Sequence, residues 1–460
     1  MYERIGMNTD ENNISFTKNN KFFFVLHFIS LLLLVMGIST GSQILNIIAF
    51  VCCCLFCLIT PFNYSVLIIF SLSIFEGGFT INGDCGWFFL AVIIIVKWIV
   101  TNGKKVHEMG FFLPFCIILI LEACIDWINH GFNGGYLTVV VLIVFMYIIF
   151  SKSDDFEINP INAYNYFATS YLLMTYYLIN EYGGLSTFIS IFMSRTGVER
   201  FGGAYNVVLS GAMGIPIYSL LIIAISIPVL FYLSLRLTQK LFIYVVDAIA
   251  ILIGLLTVSR SFLLGSAVIV LCLVFFKTKG SGNSRNRKIL FIFLIAIGAF
   301  IAAKEFSDVF QNIINSFTYR IESDSTGGTG SRFDIASECF RYLGNHILPL
   351  MFGNGAYGYL DVAQAGGYLI SMGCHNYYLD ILMSFGIVGT IATISFVTYF
   401  IKRNQIIDRI KAQPFSAVPL LVLMSFCLTA LRTNSIKPVI YFFMCFMIIK
   451  CMNRYSEVRQ

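Results

Sequence analysis

The sequence predicts an all-α polytopic membrane protein, with about fourteen transmembrane helices and one large, partly helical loop on the outer side. Three observations carry this. Only 12% of the residues are charged, 58% are hydrophobic, and the mean hydropathy is +0.82. A soluble domain carries about 25% charged residues, so a chain at half that level lacks the polar surface to cover a soluble fold. Apolar stretches near 20 residues recur along the chain, and about 20 residues at 1.5 Å rise cross the hydrocarbon core. An outer-membrane barrel would instead show alternating segments of ~10 residues. The third observation is an uneven distribution of Lys and Arg between alternate loops.

The spans read as 22–39, 42–60, 63–80, 87–101, 110–128, 135–150, 164–180, 207–234, 241–258, 261–276, 289–303, 376–401, 415–431 and 436–451. Residues 1–21 are polar. The span after them lacks a small-residue cleavage site, so it is expected to be retained rather than removed as a signal peptide. With the N-terminus inside, the inner segments hold 20 basic residues and the outer segments 9, with Lys97 inside a span. That asymmetry puts both ends in the cytoplasm and leaves Trp87 and Trp127 at the outer interface, where indoles prefer to sit. Three regions follow: 1–303 with eleven helices and short loops, an outer loop over 304–375, and 376–460 with three helices and a cytoplasmic end. A loop that long in a compact protein is usually functional. No repeat of fixed period is visible.

Of the thirteen cysteines, Cys52, Cys53, Cys54 and Cys57 cluster in one span, where thiols act as small apolar packing groups. Cys85, Cys339 and Cys374 fall in outer segments, and a disulfide between two of them is left open.

The outer segments carry Arg195, Arg200, Arg260, Arg320, Arg332, Arg341 and Arg432, against only Lys304 and Lys437. Arg260, in "TVSRS", lies in a tight outer hairpin between two spans. Two readings fit it: a guanidinium reaching lipid headgroups, or a ligand for a specific anion. The arginine-rich company favours the anion, because a guanidinium matches phosphate oxygens bidentately. A diphosphate on a lipid tail suits such a cluster at a membrane surface.

In "GGTGSRFDIASECFRYLG", Ser331 followed by Asp334 has the form of a helix start. Phe333, Ala336, Phe340 and Leu343 recur at helical spacing, so an amphipathic helix follows. Arg332 falls in its first turn, where the macrodipole disfavours a cation unless an anion is shared there. Arg341 has Glu338 three residues back and can serve as a surface ion pair. In "GCHNYYLDILMSFGIVG", His375 and Asn376 open the next span. The dipole and the arginines disfavour a charged imidazole, so His375 is expected neutral and able to accept a proton. A capping role is the alternative, and His346 is a second candidate. Asp247 and Asp380 are the acidic residues expected within spans. No Walker A, HExxH or GxSxG sequence occurs, so no metal, cofactor or nucleic-acid partner is expected.

The segments "TVSRSFLLG", "GSRFDIASECFRYL", "LMFGNGAYGY" and "GCHNYYLDILMSFGIVG" resemble, in order and spacing, the O-antigen polymerase (Wzy) and O-antigen ligase superfamily. They cover residues 255–390, and the first 250 residues resemble it only in hydropathy. The resemblance implies a metal-independent glycosyltransferase at the periplasmic face of the bacterial inner membrane, joining undecaprenyl-diphosphate-linked saccharides. An acceptor hydroxyl attacks the donor anomeric carbon and undecaprenyl diphosphate leaves. His375 and Arg332 would be catalytic, and Arg260, Arg195, Arg200, Arg320, Arg341, Asn376 and Tyr378 would bind the substrate and its diphosphate. Membrane lipids and a chain-length regulator protein are the other partners implied. Span number and Phe- and Ile-rich composition lean toward a polymerase. A ligase transferring polymer to lipid A-core, or a flippase, is the alternative. A flippase would want charges along a path through the spans, whereas here the arginines gather on one face.

Overall fold

The computed structural model describes residues 9–75, 80–81, 84–102, 120, 124, 158–181, 184, 186, 215–256, 259–276, 332–354, 376–429 and 437–457. The helices are α1 (Thr9–Thr40), α2 (Gln43–Ile59), α3 (Phe62–Leu72), α4 (Gly86–Asn102), α5 (Pro160–Glu181), α6 (Ile215–Tyr232) and α7 (Leu237–Leu256). They continue as α8 (Arg260–Phe275), α9 (Arg332–Asn345), α10 (Ile347–Phe352), α11 (Tyr377–Arg403), α12 (Ile406–Ala412), α13 (Val418–Thr429) and α14 (Lys437–Glu457). Among the described residues the only strands are a two-residue antiparallel pair, Thr80–Ile81 with Asp84–Cys85.

Eleven of the fourteen expected spans overlap described helices; 110–128, 135–150 and 289–303 fall almost wholly outside the described residues. Four described helical segments are long and apolar enough to cross a membrane: Lys21–Thr40, Ile215–Tyr232, Leu237–Leu255 and Tyr377–Arg403. Shorter apolar helices accompany them. The expected span at 63–80 is corrected. Its helix stops at Leu72, a 3-10 turn covers Ser73–Phe75, and Thr80–Ile81 is extended. The sequence at the break is Glu76-Gly77-Gly78, and glycine is a poor helix former.

α6 is the centre of the bundle. It is apolar on all sides and almost entirely buried, as such a helix must be. It packs against α5, α7, α8, α13 and α14. Two polar pins cross this core. The Tyr171 and Ser219 hydroxyls are hydrogen-bonded at 2.8 Å. Asp247 of α7 is buried and accepts from Tyr164 of α5 at 3.3 Å and Ser226 of α6 at 2.5 Å. Lys97 of α4, the basic residue expected inside a span, donates to the Cys57 carbonyl at 2.6 Å, to the Thr60 carbonyl and to Ser65 Oγ at 3.2 Å. Its ammonium therefore covers carbonyls that the end of α2 leaves without helical partners. Outward, α2, α7, α8 and α11 show rows of exposed apolar residues, such as Ile47, Val51 and Leu58 on α2 and Val270, Leu271 and Val274 on α8. Exposed apolar area on that scale marks a membrane-facing surface. The chain is a multi-pass membrane protein.

α11 is expected as one span from 376 to 401, and this too is corrected. Gly386 has φ 62° and ψ −168°, which breaks the helix into two arms. Tyr377 touches Phe442 and Phe400 touches Phe446, two neighbouring positions on α14. A straight helix would hold residues 377 and 400 about 34 Å apart at 1.5 Å per residue. The first arm, Tyr377–Phe385, is therefore turned back toward α14, and the second arm is Ile387–Arg403.

α7 and α8 approach closely at Gly254. A Cβ there would lie 2.0 Å from Cε2 of Phe262. Gly254→Ala is expected to destabilise the fold by about 1–3 kcal/mol through overpacking. Paired with Phe262→Ala in a double-mutant cycle of thermal unfolding in detergent, most of that loss should disappear. Additive losses would show that the ring does not set the spacing.

Candidate functional site

α8 and α13 run antiparallel, which fixes where Arg260 lies. A Cβ on Gly265, near the start of α8, would meet Phe426 near the end of α13, while Phe276 just past α8 contacts Phe415 just before α13. α13 and α14 are antiparallel as well: Arg409, shortly before α13, donates to the Lys450 carbonyl near the end of α14 at 2.9 Å. The start of α14 therefore shares an end of the bundle with the start of α8. Tyr377 packs on Phe442 there, which brings the start of α11 to the same end. Arg260, the first residue of α8, and Asn376, the cap of α11, thus belong to one end of the molecule.

α9 and α10 are held to the first arm of α11. Ile335, Cys339, Tyr342 and Leu343 of α9 form a buried cluster with Leu379 and Met383 of α11, joined by Ala336, Leu350 and Leu382. Two glycines make the closest approach. At Gly353, φ +81°, a Cβ would fall 2.0 Å from the Ser384 carbonyl oxygen; at Gly386, φ +62°, one would fall 2.5 Å from the Met351 backbone. Neither position accepts a side chain, so the end of α10 and the break in α11 fit backbone to backbone. The Asn354 N–H donates to the Met383 carbonyl at 2.9 Å. Tyr342 donates its hydroxyl to Asn354 Oδ1 at 3.3 Å, which ties α9 to the same joint. Arg332 is the first residue of α9, as expected, so the helix it opens is packed directly on the helix that Asn376 caps.

Asn376 accepts from the backbone N–H groups of Tyr378 at 3.1 Å and Leu379 at 3.2 Å. Its oxygen is used as an N-cap, which leaves its two amide hydrogens as the donors it can offer a ligand. Tyr378 is 39% exposed and Asp380, in the same turn, is buried. An acidic residue at that point complements the helix dipole. His346, between α9 and α10, places Nδ1 2.9 Å from the Tyr342 carbonyl and stacks on the Tyr342 ring at 4.4 Å. A carbonyl only accepts, so Nδ1 carries the hydrogen and Nε2 of the neutral ring is the basic nitrogen. Arg341 donates to Glu338 at 2.5 Å, the expected ion pair, with its own side chain 54% exposed.

Arg195, Arg200, Arg320 and His375 lie outside the described residues. Ala336 and Leu343 of the expected apolar stripe pack on α11 with Ile335, Cys339 and Tyr342 beside them, while Phe340 is 59% exposed. Cys339 is a buried thiol inside that face. The glycine joint went unread in the sequence. Its signal is the glycine pair Gly386 and Gly389 inside an otherwise helical apolar run.

A family model described as O-antigen ligase matches residues 245–394. No curated protein matches the chain. The matched segment runs from α7 through α8, α9 and α10 into the second arm of α11, and so contains the whole constellation above. By that match residues 245–394 are similar to the O-antigen ligase family.

Two substitutions test the joint. Gly386→Ala combines a strained φ with a backbone collision and should lower stability by about 2 kcal/mol or more. Arg341→Ala removes a surface pair and should cost no more than about 1 kcal/mol. Thermal unfolding in detergent reads both; equal losses would show that the glycine joint does not hold α10 to α11.

Proposed function

We propose that this chain polymerises undecaprenyl-diphosphate-linked oligosaccharide repeats into O-antigen or a related surface polysaccharide at the periplasmic face of the bacterial inner membrane. The observation that supports it most is the packing of α9, opened by Arg332, against the arm of α11 capped by Asn376, all inside the matched segment. On this reading the hydroxyl of an acceptor sugar attacks the anomeric carbon of the donor. A new glycosidic C–O bond forms, the bond from that carbon to the phosphate oxygen breaks, and undecaprenyl diphosphate leaves with the bonding electrons. His375, directly before the Asn376 cap, takes the hydroxyl proton. Arg260 and Arg332, with Arg195, Arg200 and Arg320, hold the diphosphate and stabilise the charge that grows on it. Fixed donors aimed at developing charge are the main source of such stabilisation. The lipid diphosphate is itself the energised leaving group, so no nucleotide is needed. Undecaprenyl-linked saccharide, membrane lipids and a chain-length regulator are the partners.

The description of the matching family favours a second reading, transfer of finished polymer to lipid A-core. The lipopolysaccharide of a deletion strain separates the two. Loss of a polymerase should leave core bearing a single repeat; loss of a ligase should leave bare core while lipid-linked polymer accumulates.

Substitution at His375 tests the chemistry. General-base assistance is worth about 10²–10⁴-fold in rate. Asn caps helices well but cannot serve as a base. Purified His375→Asn should therefore lose polymerisation of lipid-linked repeats by a factor in that range while still accumulating in the membrane. A near-normal rate would remove His375 from the role and turn attention to His346, whose Nδ1 is held by the Tyr342 carbonyl. At Arg260 and Arg332, lysine should fail nearly as badly as alanine, because it keeps the charge but loses the fork. Full rescue by lysine at both positions would point to simple headgroup attraction instead.

A further inference from the structure

We propose that α10 is an interfacial membrane helix, and that the face of Ile347–Phe352 turned away from the protein lies in the hydrocarbon of the leaflet opposite Lys402 and Arg403. Along α10, Ile347 is 74% exposed, Leu348 69% and Phe352 63%, and Phe340 of α9 beside them is 59% exposed. Only Leu350 of this helix packs into the cluster with α9 and α11. No Lys, Arg, Asp or Glu occurs between Arg341 and Asp361. Large apolar side chains gathered on one short helix, with no charge near them, mark a surface that is covered by something apolar.

The joint with α11 says what covers it. The Met351 and Phe352 backbones touch Gly386, so the end of α10 lies at the depth of that glycine. Gly386 is sixteen residues before Lys402 on the second arm. At 1.5 Å per residue that separates them by about 24 Å along the helix. The hydrocarbon core is about 30 Å thick. With Lys402 and Arg403 at one boundary, Gly386 lies some 6 Å short of the other, and any tilt of the arm draws it deeper. Helices that lie in an interface bury their apolar face about 5–10 Å into the boundary. The apolar flank of the second arm, with Ile391 58% and Ile394 60% exposed, runs in sequence away from the same joint. A segment expected to stand in water as part of the large loop thus reaches lipid.

Fluorescence quenching tests the placement in the full-length protein reconstituted into phosphatidylcholine bilayers. The three native tryptophans, Trp87, Trp98 and Trp127, are replaced by Phe. A single tryptophan is then introduced by Leu348→Trp or, separately, by Phe352→Trp, with Ile394→Trp as the control on the second arm. Lipids brominated high on the acyl chain should quench the first two roughly twofold, lipids brominated near the chain end less, and aqueous iodide hardly at all. Quenching by iodide in place of bromolipid, or by neither, at both positions would overturn the proposal. The two sites report independently, so one variant that fails to fold leaves the other to decide. If Ile394→Trp is not quenched by bromolipid, the second arm is not a span and the proposal falls with that assignment. The proposed sugar chemistry is untouched by either result, because no step of it is read by this measurement.

Discussion

The break at Gly386 is the constraint on which the packing of α9, α10 and α11 depends. A helix that stops inside a membrane exposes carbonyls that lipid cannot satisfy. Here the Met383 carbonyl accepts from the Asn354 N–H, and the Gly386 carbonyl accepts from Thr390 Oγ1 at 2.7 Å. The first of these partners belongs to the segment after α10, so the span cannot break there unless that segment is docked. Docking requires Gly353 and Gly386 to be bare, and it brings α9 along through the cluster around Cys339 and Tyr342. The position of Arg332 relative to Asn376 follows from that single backbone fit.

The opposite problem, holding the remaining helices rigid without a hydrophobic force between them in lipid, is met by buried polar contacts. Packing and interhelical hydrogen bonds drive helix association in that environment. Asp247 joins α7 to α5 and α6 through Tyr164 and Ser226, and Lys97 joins α4 to the end of α2. Each charge is placed where a neighbour offers a hydroxyl or a freed carbonyl, which is the condition for a charge to persist inside a membrane.

Much of this was legible in the sequence, for reasons that name its limits. Hydropathy located helices wherever a span is continuous, because length and apolarity are local properties of the chain. The start of α9 at Arg332 and the Arg341–Glu338 pair followed from capping and i, i+3 rules. The capping role considered for His375 belongs to its neighbour Asn376, whose side chain accepts from the Tyr378 and Leu379 N–H groups. Hydropathy could not show that the expected span at 376–401 is broken, since glycine barely changes the apolar average. The partner that makes the break stable lies some thirty residues earlier in the chain, at Gly353 and Asn354. In α9 helical spacing placed Ala336 and Leu343 on the packed face, but apolarity by type could not show that Phe340 stays exposed while Cys339 and Tyr342 pack on the partner helix.

Arg260 and Arg332 share a feature that bears on the proposed chemistry. Each is the first residue of its helix. A cation at that position is opposed by the positive end of the macrodipole, a penalty of about 0.3–1 kcal/mol at an exposed site. The same end, with its unpaired N–H groups, favours an anion. An anion shared between guanidinium and helix end converts two mutually opposed positive groups into two ligands of one charge. A diphosphate carries enough charge to serve both, and α8 starts at the same end of the bundle as the arm of α11 on which α9 is packed. On the proposed reading the two arginines are in unfavourable positions while the site is empty and favourable ones once the lipid diphosphate is bound. Their charge is therefore stabilised most when the leaving group has gathered its full negative charge, which is the moment at which the glycosyl bond has broken.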